Sequence, residues 1–233
     1  VDVSAAFSAA IDLIIGLDPG FLGIVRLSLG VTLSAVLIAA IIGLPLGALL
    51  ALSRFPGRGG VIVFVNAMMG LPPVVAGLVI FLLLSRSGPI GFLGLLFSPS
   101  AMVLAQAVLV LPIIVAITRQ LTENLHGEYR EHLASVGLTG FRAIPTLLWD
   151  GRFALATAIL AGFGRASAEV GAVLIVGGNI AGYTRTMTTA IALETSKGDL
   201  PLALGLGLVL ILLTLVINAV TYGASRAGAR FAG

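Results

Sequence analysis

An all-α integral membrane protein is the fold class this sequence predicts, and three features carry that expectation. The composition is too apolar for a water-facing surface, five apolar runs reach spanning length, and the basic residues fall unevenly between them. Of the 233 residues, 58% are hydrophobic and only 10% are charged, and the mean hydropathy is +1.15. A water-soluble fold needs enough polar surface to face solvent, which this chain lacks. A lipid bilayer is therefore the first partner expected.

Before the first run, Val3, Ala6, Phe7, Ala10, Ile14 and Leu17 recur at helical spacing while Ser4, Ser8 and Asp12 fall on the opposite face. Pro19-Gly20 ends the pattern. Residues 1–20 are thus expected to form an amphipathic helix on the membrane surface, too short to cross it. No signal peptide is expected, because Asp2 is the first charge and no basic segment precedes the apolar part. The runs then extend from Leu27 to Leu52, Val61 to Leu84, Ala101 to Ile117, Phe153 to Val176 and Leu202 to Tyr222. At 1.5 Å per residue, about 20 residues cross a hydrocarbon layer of about 30 Å, so the short third run is expected to extend into its flanks. Residues 21–225 form one transmembrane domain in this reading, with a polar loop at about 120–152 and a short tail at 226–233 that leaves no room for a regulatory domain.

Eight of the 13 basic residues, Arg54, Arg58, Arg119, Arg130, Arg142, Arg152, Arg226 and Arg230, fall on one side of these spans. Arg26, Arg86, Arg185 and Lys197 fall on the other, and Arg165 lies within a span. The positive-inside rule puts the amino terminus outside and the carboxyl terminus and polar loop in the cytoplasm. A net charge of +3 built from such scattered arginines is a topology signal, so no nucleic-acid partner is expected.

Several chemistries are excluded by missing residues. Without cysteine there is no disulfide, thiolate metal site or thiol nucleophile. The single lysine, Lys197, sits in TSKGD and not in a phosphate-cradling Walker A loop, so ATP hydrolysis cannot reside on this chain. His126 and His132 lack HExxH spacing, and no histidine at membrane depth is available to activate a serine. The chain is not expected to be an enzyme, and no catalytic or metal-binding residue is assigned.

The spans look built for a pathway. Leu71-Pro72-Pro73 interrupts the second, Pro45 lies between Gly43 and Gly47 in the first, and Pro112 is expected to break the third. Such breaks release backbone groups that protein or water must satisfy, and broken helices at membrane depth tend to line cavities. Gly43 and Gly47 suit either close helix packing or a dimer seam. In GFGRASAEVGAVLIVGGN, Arg165 and Glu169 are four residues apart and are expected to lie on one helical face near the midplane, where they can neutralise one another. They read either as a charged collar around a path for an anion or as an internal ion pair that fixes packing.

The polar insert EYREHLASVGLTGFRAIPTLLWDG supplies the most informative motif. Glu131, Ala134 and Gly137 fit the Glu-Ala-Ala-x-x-x-Gly pattern in the cytoplasmic loop of ATP-binding-cassette (ABC) importer permeases, with His132 and Leu133 in place of the two alanines. Where the pattern's Ile-x-Leu-Pro falls, this chain reads Leu147-Leu-Trp-Asp150. The later run GRASAEVGAVLIVGGNIAGYTRTMTTAIALETSKGDLPLALGLGLVLI resembles oxyanion permeases, the tungstate type above the molybdate and sulfate types, with Val170 where the latter two usually carry phenylalanine. The resemblance covers roughly Leu27 to Tyr222.

It implies a type I importer fold of five core transmembrane helices plus the interfacial helix, in a prokaryotic cell (inner) membrane. Its expected partners are a second copy of the chain, two ABC ATPase subunits and an extracytoplasmic oxyanion-binding protein. No cofactor is expected on this chain, with ATP and Mg bound by the partner ATPases. The coupling loop would contact them through Glu131, Ala134, Gly137, Leu138 and Phe141. The apolar Leu133, Val136, Leu138 and Phe141 would either fill a groove on the ATPase or dock back on the membrane helices. Arg165, Glu169, Pro72 and Pro73 are the expected pathway or gate residues. Two other classes remain open: a carrier or channel not driven by ATP, and a membrane scaffold without transport. Internal inverted repeats, which would favour a carrier, are not apparent.

Overall fold

A computed structural model gives the fold and describes residues 3–16 and 18–231. Asp2, Leu17 and the last two residues of the expected tail lie outside it, as do the side chains of Val3, Ala6, Arg226 and Arg230. Among the described residues there are ten α-helices and no strand. They are α1 (Val3–Ile15), α2 (Pro19–Leu52), α3 (Arg58–Met69), α4 (Pro73–Leu84), α5 (Pro99–Ser135), α6 (Ile144–Asp150), α7 (Arg152–Ser167), α8 (Gly171–Gly177), α9 (Met187–Lys197) and α10 (Leu200–Phe231). Three of these are long and apolar enough to cross a membrane, or up to five if each bent helix pair is one span.

The chain divides into two compact units. The first comprises Val1–Ala35, Pro72–Gln106 and Ala166–Ile217. Its core gathers Phe21, Met187, Ala190 and Leu206, with Ile14 of α1 packed against them. On α1, Ala10 is buried and Ser4, Ser8 and Asp12 are exposed, as the periodicity predicts, whereas Phe7 is 46% exposed. Helix α9 starts with a capping box between Thr186 and Thr189, and its Met187 N–H donates to Ser28 Oγ of α2 at 2.7 Å. Buried Glu194 pairs with Lys197 at 3.0 Å and Arg185 at 3.5 Å.

Helices α4 and α8 lie against one another. A Cβ on Gly77 would stand 2.7 Å from the Ala172 Cα, a backbone atom that cannot move aside like a side-chain tip. Gly77→Val is therefore expected to destabilise this packing by about 1–3 kcal/mol, the usual cost of overpacking. The measurement is thermal unfolding of the purified chain in detergent. An unshifted midpoint would refute the contact.

The second unit comprises Val36–Leu71, Ala107–Arg165 and Asn218–Gly233. Gly43 faces Ile114, and a Cβ on Gly47 would meet Thr118 and the Val115 carbonyl at 2.7 Å. These two glycines thus serve close packing of α2 on α5 within one chain. Gly162 brings α7 equally close to Val110 and Ile114 of α5. Glu123 of α5 accepts from Arg58 of α3, and from Arg119 one helical turn away at 2.6 Å. Arg58 also donates to the carbonyls of Leu50 (3.0 Å) and Ala51 (3.3 Å), satisfying the last turn of α2. One guanidinium and one carboxylate thereby tie the end of α2 and the start of α3 to the body of α5.

Two expectations need correction. Pro112 does not break the third span: it lies inside a continuous α5 of 37 residues, held by the glycine-mediated packing of α2 and α7 on both sides. As expected of the short third run, α5 extends into its flanks and runs on to Ser135, so the first part of the polar segment is helical. Buried Thr118, Thr122 and Leu133 and the Arg119–Glu123 pair continue its helical face. The fourth span is not one helix either, since α7 ends at Ser167 and α8 begins at Gly171. At the carboxyl end, α10 continues to Phe231, through most of the expected tail.

Candidate functional site

The loop after α5 is built around a glycine-terminated helix. Gly137 has φ +75°, a left-handed conformation that costs an L-residue with a side chain about 1–2 kcal/mol. Its N–H donates to the Ala134 carbonyl at 3.1 Å, and the Leu138 N–H reaches back to the Leu133 carbonyl at 2.8 Å. This pair of bonds is a Schellman motif, and its usual apolar contact is present, because Leu138 packs on the cluster of Leu133, Ala143 and Leu147. The spacing of Leu133, Ala134, Gly137 and Leu138 thus has a direct physical meaning: it stops α5 and turns the chain sharply.

Beyond the turn, a 3-10 segment (Gly140–Ala143) and α6 form the second helical piece, and α7 leaves at 79° to it. Leu133 is buried and Leu138 half-buried within the loop's own core, so these two dock back on the chain. Val136, Phe141 and Trp149 are 57%, 58% and 69% exposed, while Glu131 and Ala134 are also exposed. Three large apolar groups are thus exposed on this one connecting segment. Trp149 was not selected on sequence, although as the chain's single tryptophan inside its most polar segment it gave a signal. Arg152 lies over the rings of Trp149 (4.8 Å) and Phe153 (4.5 Å) and donates to the Trp149 carbonyl at 2.6 Å, fixing the indole.

The second constellation lies in the first unit, at two helix starts. Pro72, with φ −60° and ψ 127°, is extended as expected for a residue preceding proline. Its carbonyl accepts from Val75 (3.0 Å) and Ala76 (3.1 Å), and Pro73 opens α4 where no N–H is needed. Val74 packs against Gly171 at the start of α8. Two residues before Gly171, Glu169 is 2% exposed, and its Oε1 accepts the Ala172 N–H at 2.9 Å.

Glu169 is therefore not one turn above Arg165 on a shared helical face. Arg165 occupies the last turn of α7 and Glu169 precedes the first turn of α8. Each charge complements the end of the helix dipole it occupies. The junction is held from elsewhere in the fold: Gln106 Nε2 donates to the Ala166 carbonyl at 3.1 Å, and Thr188 Oγ1 to the Glu169 carbonyl at 2.8 Å.

Apolar helices of spanning length, proline- and glycine-marked interruptions and a rigid amphipathic connecting loop define a multi-pass membrane permease domain. The chain matches no family profile. It is 39% identical to the tungstate uptake system permease protein TupB of Peptoclostridium acidaminophilum over 94% of this chain and 96% of that one. It is also 39% identical to a probable anion ABC transporter permease protein of Haloferax volcanii, over 89% of each chain. To TupB of Campylobacter jejuni it is 36% identical over 70% of this chain and 68% of the relative. The protein belongs to the ABC transporter permease family.

Proposed function

We propose that this chain is the membrane-spanning subunit of an ATP-driven tungstate importer. The observation that carries the reading is the 39% identity to a tungstate uptake permease over nearly the whole of both chains. Two copies form the pathway, in a prokaryotic inner membrane, with amino termini outside and carboxyl termini in the cytoplasm. An extracytoplasmic binding protein delivers the oxyanion, and two ATPase subunits bind ATP and Mg.

The lever is the loop from Glu131 to Asp150. A groove on each ATPase receives Val136, Phe141 and Trp149, while Glu131 and Ala134 line the approach. The Gly137 turn and the Leu133–Leu147 core make this loop stiff, so movement of the ATPases passes into α5 and α7 as a rigid-body displacement. In the first unit, Pro72 and Pro73 and the buried Glu169 form the gate; Arg165 ends α7 with a positive charge for the passing dianion. Nucleotide and loaded binding protein bias two discrete packings of these helices.

The test is uptake by proteoliposomes containing this chain, its co-expressed ATPase and its binding protein. ATP-dependent accumulation of tungstate, resisted by excess molybdate and sulfate, is expected, with two permease chains per complex by native mass. Accumulation without ATP would establish the carrier instead. Equal competition by molybdate would broaden the substrate class, and no accumulation in a correctly assembled complex would favour the scaffold.

A further inference from the structure

We propose that the second unit carries a specific site for one anionic phospholipid, with an acyl chain in a groove between α2, α3 and α5 and its headgroup at Arg54. The groove encloses about 420 Å³ and is lined by apolar side chains, among them Leu46, Leu49, Phe64, Met68, Val108 and Leu111. It opens outward, with Leu49 44% and Phe64 63% exposed. From Leu46 to Ser53 it follows about 10 Å of helix, the length of a substantial part of an acyl chain.

Its polar end supplies the charge. Ser53 lines both this groove and an adjoining polar cavity of about 260 Å³ that includes Arg54, Arg58, Glu123 and His126. Arg58 and Arg119 both bind Glu123, so the carboxylate is already compensated. Arg54 is exposed and has no partner among the described residues, and His126 Nδ1 is buried without a hydrogen-bond partner. An apolar slot ending at an uncommitted guanidinium and an imidazole nitrogen is complementary to a single-chain-deep lipid with an anionic head.

Leu52 packs on the Leu133–Leu147 cluster, so the groove lies at the end of the unit that bears the Gly137 turn. If the proposed topology holds, that is the cytoplasmic leaflet.

The experiment is native mass spectrometry of the full chain, purified with its partners from nanodiscs of dioleoyl phosphatidylglycerol and phosphatidylcholine. One retained phosphatidylglycerol per chain is expected, in preference to phosphatidylcholine. Arg54→Gln should reduce that preference about fivefold, the effect of one basic residue near an anionic surface. Met68→Trp should fill the groove and remove the retained lipid, while Arg86→Gln, in the other unit, should leave it unchanged; thermal unfolding verifies that all variants are folded. Equal retention of the two lipids, unchanged retention in Arg54→Gln, or release of the lipid by inorganic phosphate would overturn the site. So would efficient Phe64→Cys cross-linking between copies with no lipid retained. Failure of tungstate uptake would overturn the proposed function and leave this result standing.

Discussion

Gly137→Val is expected to reduce binding-protein-stimulated ATP hydrolysis to the unstimulated level while the chain still inserts and assembles. Valine is among the least tolerant residues at φ +75°, because its branched Cβ clashes where glycine has none. Relief of that strain, about 1–3 kcal/mol, requires the turn to open. Opening it breaks the Leu138-to-Leu133 bond and lifts Leu138 off the small core that stiffens the loop. That core meets α2 through Leu52 and α5 through Leu125 and its own Leu133, and the glycine-mediated packing of α2 and α7 on α5 lies elsewhere, so yield should stay within about twofold of the parent. Gly127→Ala is the control: Gly127 is helical, exposed and has open space where its Cβ would go, so stability should be equal or slightly higher. Full stimulation in Gly137→Val would remove this turn from the coupling path. Loss in both variants would show that α5 tolerates no change there, and that the turn has no special part.

The reasons why some of this architecture was legible in the sequence, and some not, are physical. Apolar runs report burial in lipid directly, and Pro72-Pro73 reports a break because proline cannot donate the bond a continuing helix needs. The Gly137 turn was legible for the same kind of reason, since one backbone conformation demands one residue type. The break after Ser167 gave no such signal, because Ser167-Ala168-Glu169 contains no proline and its cause is tertiary. Thr188 and Gln106, 19 and 60 residues away from their partners, supply the hydrogen bonds that make leaving the helix affordable. Likewise Arg58 and Glu123, 65 residues apart, look on sequence like two loop charges. Only folding shows that they join the end of α2 and the start of α3 to the body of α5. The stretch after Ile117 reads as polar because its surface residues are hydrophilic, while Thr118, Thr122 and Leu133 keep the buried stripe of the helix that extends the third span.

Glu169→Ala is expected to lower the yield of assembled complex severalfold, whereas Glu169→Gln should assemble like the parent yet lose at least about tenfold in tungstate uptake. The two substitutions separate the two things a buried carboxylate does. As an acceptor, Glu169 satisfies the Ala172 N–H at the start of α8. Glutamine keeps an oxygen there, but alanine leaves a donor to be satisfied where water is scarce, at about 1–3 kcal/mol. As a charge, Glu169 would, in the proposed pathway, offset the positive field that attracts a dianion, so a neutral glutamine should hold tungstate longer and release it more slowly. Arg165→Gln tests the opposite sign, because weakening that field should raise the tungstate concentration needed for half-maximal uptake. Parent-like uptake by Glu169→Gln would confine this residue to capping α8. Parent-like assembly by Glu169→Ala would remove the capping role instead, and with it the link between the Ser167 break and the packing of α8 on α4.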